Sequence, residues 1–236
     1  MKKRIKTTAI ILSAAMANTA TCMAQESVEA SVGADIVSSY EWRGQDLGGF
    51  SIQPSLSVAY KGFSLGAWGS VGLDKEDTKE FDLTLGYSTE RFSVSVTDYW
   101  FAPYGENNNY FHYKAHETAH VFEVQAGYDF GPVALNWYTN FAGDDGSNKD
   151  GDRAYSSYVN LSAPFKLGGL DWTAEIGATP WATSFYADAN GFAVCNIALS
   201  ATKEIKVTET FSIPAFAKLT FNPASESTYF VFGLSL

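Results

Sequence analysis

Residues 227–236, Ser227-Thr228-Tyr229-Phe230-Val231-Phe232-Gly233-Leu234-Ser235-Leu236, alternate with a period of two. Phe230, Phe232, Leu234 and Leu236 fall on one face, and Tyr229, Val231, Gly233 and Ser235 on the other. Successive side chains of a strand point to opposite faces, so this stretch reads as a strand with one strongly apolar side. Back toward residue 25 the same alternation recurs in segments of roughly ten residues, joined in turn by short and long links. In a bilayer every backbone polar group needs an internal partner, so a sheet that crosses one must close, and each strand then shows one apolar and one polar face. The pattern predicts an all-β fold: a transmembrane antiparallel up-and-down β-barrel.

Twelve strands are predicted, near residues 29–42, 52–60, 63–73, 79–88, 91–101, 119–129, 132–142, 154–163, 169–179, 192–202, 209–221 and 227–236. Links after even-numbered strands are short: Lys61-Gly62, Thr89-Glu90, Phe130-Gly131, Pro164 to Gly168, and Lys203 to Thr208. Links after odd-numbered strands are mostly longer and polar, the longest being 102–118, 143–153 and 180–191. That asymmetry matches periplasmic turns at one end and extracellular loops at the other, with both termini in the periplasm. Parity sends Val32, Ala34, Ile36, Leu56, Val58, Leu65, Ala67, Phe81, Leu83, Leu85, Val94, Val96, Val159, Leu161, Ala174 and Ile176 to an outer apolar band. Tyr60, Phe63, Tyr87, Phe92, Tyr128 and Phe165 gather near the short turns, and Trp42, Trp100, Trp137, Phe141 and Tyr155 near the loops. Two aromatic girdles are what a barrel places at its two interfaces. A secreted β-sandwich also has alternating strands, but the girdles and the closing strand favour the barrel.

Lys2, Lys3, Arg4 and Lys6 precede an apolar stretch from Thr7 to Ala17 and small residues around Cys22-Met23-Ala24. This reads as a secretory signal peptide over residues 1–24, followed by a barrel over 25–236. A lipoprotein anchor at Cys22 is the competing reading, against which Thr19-Ala20-Thr21 lacks the usual residues. No later stretch reaches the ~18 apolar residues of a spanning helix. The mature chain would carry 12 basic against 26 acidic side chains, a net charge of −14, which makes nucleic acid a poor partner. Cys195 would be its single cysteine, sharing parity with Ile197 and Leu199, in an inert apolar role.

Parity directs Asp35, Glu41, Arg43, Gln53, Trp68, Asp82, Glu123, Gln125, Asn136, Tyr138, Tyr158, Asn160, Glu175 and Lys218 inward. Eight strands leave an interior just filled by side chains and sixteen leave an open channel, so twelve predict a narrow wet lumen. Carboxylates confined in its wall would favour cations. The alternative is that these groups pair among themselves, Glu41 with Arg43 at the mouth and Glu123 or Glu175 with Lys218, and close the interior. Asp98 interrupts the outward apolar run and is read as a bulge at the rim.

His116-Glu117-Thr118-Ala119-His120 is a literal H-E-x-x-H string with His112 before it. On a helix such a pair holds zinc. Here the string runs into the strand beginning at His120, where the two histidines are no longer neighbours on one turn, so a polar loop is expected and no metal is assigned. The acidic run Asp144 to Asp152 offers hard oxygens for Ca²⁺ but misses the EF-hand pattern, with Gly146 at the first ligand position. A barrel lipase would need a Ser within reach of a His, and none is evident. No enzyme activity and no cofactor are expected.

Ser39-Tyr40-Glu41-Trp42-Arg43-Gly44, then Gln53-Pro54, Gly66-Ala67-Trp68-Gly69-Ser70 and Thr97-Asp98-Tyr99-Trp100 with Pro103, resemble the TorF-type porins, the Gcw_chp group of Gram-negative outer-membrane proteins. The resemblance implies a barrel and a pore and supplies no catalytic residues. The terminal strand also resembles the signal that outer-membrane proteins present to the barrel-assembly machinery, with Leu236 in place of the usual Phe. The expectation is therefore a porin of the Gram-negative outer membrane, in contact with lipid and lipopolysaccharide, passing small hydrophilic solutes with a mild preference for cations. A closed barrel serving as a structural or surface-binding protein through the aromatic loops Tyr104 to Tyr113 and Trp181 to Tyr186 is the alternative. An outer-membrane hydrolase is a third reading.

Overall fold

The computed structural model describes residues 27–75, 77, 79–102, 109–114 and 117–236. The predicted leader, Pro103, Tyr104 and His116 lie outside the described residues. Fourteen strands form: β1 (Glu29–Val37), β2 (Tyr40–Trp42), β3 (Gln45–Gly48), β4 (Ser51–Tyr60), β5 (Phe63–Gly72), β6 (Lys79–Ser88), β7 (Phe92–Ala102), β8 (His120–Asp129), β9 (Ala134–Gly143), β10 (Ser157–Leu167), β11 (Leu170–Thr179), β12 (Ala193–Lys206), β13 (Ser212–Asn222) and β14 (Ser227–Ser235). Twelve of them, β1 and β4 to β14, make one closed antiparallel barrel. Each pairs with its sequence neighbour, and β1 closes the ring by pairing with both β4 and β14. The closing seam is short, pairing Asp35 to Val37 of β1 with Gly233 to Ser235 of β14.

The alternation that the sequence carries becomes two surfaces. On β14, Phe230 and Phe232 are exposed while Val231 and Ser235 are buried. Val32, Leu56, Leu65, Leu83, Leu85 and Val96 likewise stand exposed on the outer wall. A water-soluble monomer rarely presents so continuous an apolar surface. The short connections cluster at one end. Lys61-Gly62 turns β4 into β5 with both residues at positive φ (48° and 86°), the two-residue type I′ geometry whose twist matches that of the strands. Gly168-Gly169 does the same between β10 and β11. That turn is tighter than the expected link from Pro164 to Gly168, because Pro164 to Leu167 continue the strand, and β12 likewise runs on to Lys206.

The main departure is at the start. The segment read as one strand over 29–42 leaves the wall at Val37, and β2 with β3 forms a separate hairpin. All three residues of β2 are buried, so the alternation Tyr40-Glu41-Trp42 belongs to a strand enclosed on both faces. Trp42, expected in the loop-end girdle, is 5% exposed and packs in a cluster with Tyr40, Tyr138, Tyr158, Tyr186 and Cys195. Since those tyrosines stand on the inner wall or in the 180–192 connection, the hairpin is folded into the barrel from the loop end. A ring of twelve strands leaves space that its own side chains do not fill, and here the chain fills it with a second element.

Candidate functional site: an inward hairpin clamped in the lumen

The tip of the hairpin is Arg43-Gly44, both at positive φ (52° and 83°), again a two-residue type I′ turn. Arginine adopts this conformation at a cost of roughly 1–2 kcal/mol, so something must hold it. Its guanidinium donates twice to Glu123 of β8, Nη1 to Oε2 at 2.6 Å and Nη2 to Oε1 at 3.0 Å. Nη1 also donates to the Tyr186 hydroxyl at 2.9 Å. Tyr186 donates in turn to Glu123 Oε2 at 2.7 Å, and Tyr99 to Oε1 at 2.9 Å. The guanidinium carbon lies 3.9 Å from the centre of the Tyr138 ring and 4.3 Å from that of Trp42, with Tyr158 and Tyr186 further round. Both side chains are sealed from solvent, 5% and 2% exposed for Arg43 and Glu123. A desolvated cation over aromatic faces gains about 2 kcal/mol, and bidentate geometry fixes orientation as well as charge.

A second clamp joins the hairpin to the opposite wall. Glu41 Oε2 lies 2.7 Å from Lys218 Nζ of β13 and accepts from Thr220 Oγ1 at 3.3 Å, while Oε1 accepts the Gly44 N–H at 2.7 Å. Asn222 Nδ2 donates to the Gly44 carbonyl at 2.8 Å. The expected pairs are thus exchanged: Glu41 reaches Lys218, and Arg43 reaches Glu123. On one short hairpin, Glu41 and Arg43 are better satisfied by the two walls than by each other.

Both clamps sit beside irregularities in the sheet. Register shifts between Phe122 and Glu123 leave Phe141 as an extra residue on β9. A second shift between Gly177 and Ala178 leaves Cys195 as an extra residue on β12. Bulges re-aim side chains and backbone next to sites. The second one turns Cys195 inward, against the outward parity expected for it, and sets its carbonyl against Gly44. Asp98 shows the opposite: pairing of β7 with β8 is continuous from Phe92 to Trp100, so no bulge exists there and Asp98 keeps its outward parity.

Of the other residues assigned to the interior, Trp68 packs its ring 5.6 Å from that of Tyr40. Asp82 and Glu80 of β6 lie beside the Tyr40 hydroxyl. Gln53 donates to Ser70 at 3.4 Å, Asn136 accepts from Gln125 at 3.0 Å, and Asp35 stands opposite Ser235 across the β1–β14 seam. Glu175 faces the lumen from β11 and makes no ion pair among the described residues. Structure therefore gathers Glu41, Arg43, Trp68, Asp82, Glu123 and Lys218 on or against the hairpin. Asp35, Gln53, Asn136 and Glu175 line the wall outside the two clamps. Parity alone missed Tyr99 and Tyr186. Tyr186, counted among the surface loop aromatics, is 1% exposed within the lumen, whereas Trp181 of the same loop is outside.

Burial along the inner wall divides the lumen. Ser51 and Gln53 of β4, Ser70 of β5, Glu80 and Asp82 of β6 and Thr220 and Asn222 of β13 are buried, all toward the loop end. Toward the turn end, Ser55, Ser57, Ser64, Thr84, Gly86, Ser200 and Thr202 are partly solvent-reached. On β7 to β10, Ser95, Gln125, Asn136 and Ser162 are buried at the same depth, so solvent reaches the turn end of the lumen along the side of β4 to β6 and β12, and the hairpin fills the lumen toward the loops.

Elsewhere the motifs resolve into structural contacts. His120 opens β8 and bonds Asp98 and the Tyr110 carbonyl, and Glu117 pairs with Lys114. In the acidic loop, Asp145 is buried against Arg153 at 2.9 Å and accepts the Ser156 N–H at 3.1 Å. Among the described residues no group of three or more His, Cys, Asp or Glu side chains is placed to hold a metal ion.

A closed twelve-strand barrel with an apolar outer wall and a polar, partly filled interior is compatible with an outer-membrane barrel protein. The chain belongs to the Gcw_chp family, described as bacterial protein of unknown function, whose sequence profile matches residues 21–211, from before β1 to the turn that precedes β13. No curated protein matches the chain.

Proposed function

We propose that the protein is an outer-membrane porin held closed at rest, a narrow passive channel for small hydrophilic solutes whose constriction is the hairpin of β2 and β3. Its loop end faces outward, its turn end faces the periplasm, and segment 1–24 is the export signal. The observation that carries the reading is a lumen filled toward the loops by a single element clamped at Arg43 and Glu41, with solvent reaching the polar inner wall of β4 to β6 and β12 toward the turns. The apolar outer wall supports the membrane setting, since nothing but lipid suits so continuous a band. Asp82, Glu123 and Glu175 against Lys218 leave the wall with an acidic excess that favours cations once the hairpin moves and takes Arg43 with it.

Val37 and Ser51 are register partners across β1 and β4, so four residues such as Gly-Ser-Asn-Gly can replace 38–50 without opening the barrel. Vesicles carrying this variant are expected to swell in small sugars and amino acids at least tenfold faster than vesicles carrying the parent protein. Neutralising Glu175 is expected to lower the preference for cationic amino acids. Equal, slow swelling from both proteins, each migrating as a heat-modifiable barrel on detergent gels, would contradict the channel. That result would favour the second reading, a permanently closed barrel with a structural or surface-binding role, which draws support from how fully the clamp is satisfied. No catalytic role is proposed.

A further inference from the structure

Asp98 and His120 stand on the outer wall at the loop end, in line with the exposed Val96 and Val124, yet the His120 side chain is 0% exposed and that of Asp98 18%. His120 Nδ1 is 2.7 Å from Asp98 Oδ1, and Nε2 is 2.6 Å from the Tyr110 carbonyl oxygen. A carbonyl only accepts, so Nε2 donates to it, and the histidine fastens residue 110 to the wall. The rings of segment 109–114 then roof the pair. Tyr110 lies 5.4 Å from Trp100 and 5.9 Å from Phe81, and Tyr113 lies 4.5 Å from His120 and 6.4 Å from Phe122. Thr118 closes the segment by donating to the His112 carbonyl at 2.6 Å and accepting the His120 N–H at 3.1 Å. Residues 109–114 thus lie against the outside of the barrel, where they carry Phe111, 86% exposed.

We propose that segment 109–114 is an interfacial anchor, latched by His120 and Asp98, that seats Phe111 and Tyr113 in the headgroup boundary of the surrounding lipid. The proposal rests on the outer-membrane reading. A polar pair on a lipid-side wall is costly unless covered, and the covering rings are of the kind that settle where one end is apolar and the other wet. The exposed Lys114–Glu117 ion pair marks the watery side of the same segment. Tyr110, which packs on the exposed Phe81 of the band, also packs edge-on against Phe111 at 5.1 Å, so lipid that meets the band meets the segment.

The test places a bimane label on Phe111→Cys, with Cys22 and Cys195 replaced by serine, in phosphatidylcholine vesicles. Quenching by lipid spin-labelled near the headgroup is compared with quenching by iodide. A second label at Leu85→Cys reports the band itself. The anchor predicts at least twofold stronger lipid than iodide quenching at position 111, and reversal of that ratio in Asp98→Asn or His120→Ala protein that still migrates as a heat-modifiable barrel. Iodide quenching alone at 111, with lipid quenching at 85, would overturn the anchor. An unchanged ratio in both variants would overturn the latch. Iodide quenching at both positions would overturn the membrane reading itself, and the anchor with it.

Discussion

Glu123→Ala is expected to destabilise the native structure by about 3–5 kcal/mol, the usual cost of removing one partner from a buried ion pair. Arg43 would keep its charge inside the lumen, with only tyrosine hydroxyls and ring faces around it. Hairpin withdrawal is the way out, since it returns the guanidinium to water and leaves the barrel ladder intact. The variant should therefore show a lower urea midpoint and a Trp42 newly open to iodide. Replacing both partners by apolar residues, Arg43→Met with Glu123→Leu, should recover most of the loss, because neither charge then remains buried. A single variant that unfolds like the parent, with Trp42 still shielded, would mean that the pair does not hold the hairpin.

Gly44→Ala is the second large effect. At φ 83° the added Cβ meets the left-handed penalty of roughly 1–2 kcal/mol. It would also stand 1.9 Å from the Cys195 carbonyl oxygen, a backbone atom of the β12 bulge whose neighbours Val194 and Asn196 are both paired with β11. The hairpin tip must lift from the bulge, and the bonds from Asn222 to the Gly44 carbonyl and from Gly44 to Glu41 are lost with it. Gly168→Ala separates the two causes. Its φ is 64° but a Cβ there meets nothing within 4 Å, so only the conformational penalty applies. We expect Gly44→Ala to lower the urea midpoint at least twice as much as Gly168→Ala and to expose Trp42, which Gly168→Ala should not do. Equal effects would show that Gly44 is not wedged against the wall.

Much of the barrel was legible because a closed sheet with two solvents leaves a period of two in every strand, and the five tight turns keep the register of the pairs they join. The hairpin was not legible for the same reason. Tyr40-Glu41-Trp42 alternates like the strand before it, and period alone cannot tell a wall strand from a strand enclosed inside the wall. The available signal was Arg43-Gly44, which occupies the place of a two-residue I′ turn, with Gly48-Gly49 a few residues on. Parity found Glu41, Arg43, Glu123 and Lys218 but mispaired them, because partners are decided by which wall each face of the hairpin meets. Bulges defeated parity at Cys195, where one extra residue reverses the face. At Asp98 the error ran the other way: a charge on an apolar face was read as a break, when His120 of β8, itself bonded to the Tyr110 carbonyl, satisfies it.

Single-channel recording in planar bilayers tests the central claim most directly, comparing the parent protein with the variant in which four residues replace 38–50. The account predicts rare or small steps from the parent and frequent, larger, cation-preferring steps from the variant, with Glu123→Ala between them. Silence from a variant that is folded and heat-modifiable would contradict it, since the hairpin would then not be what closes the lumen.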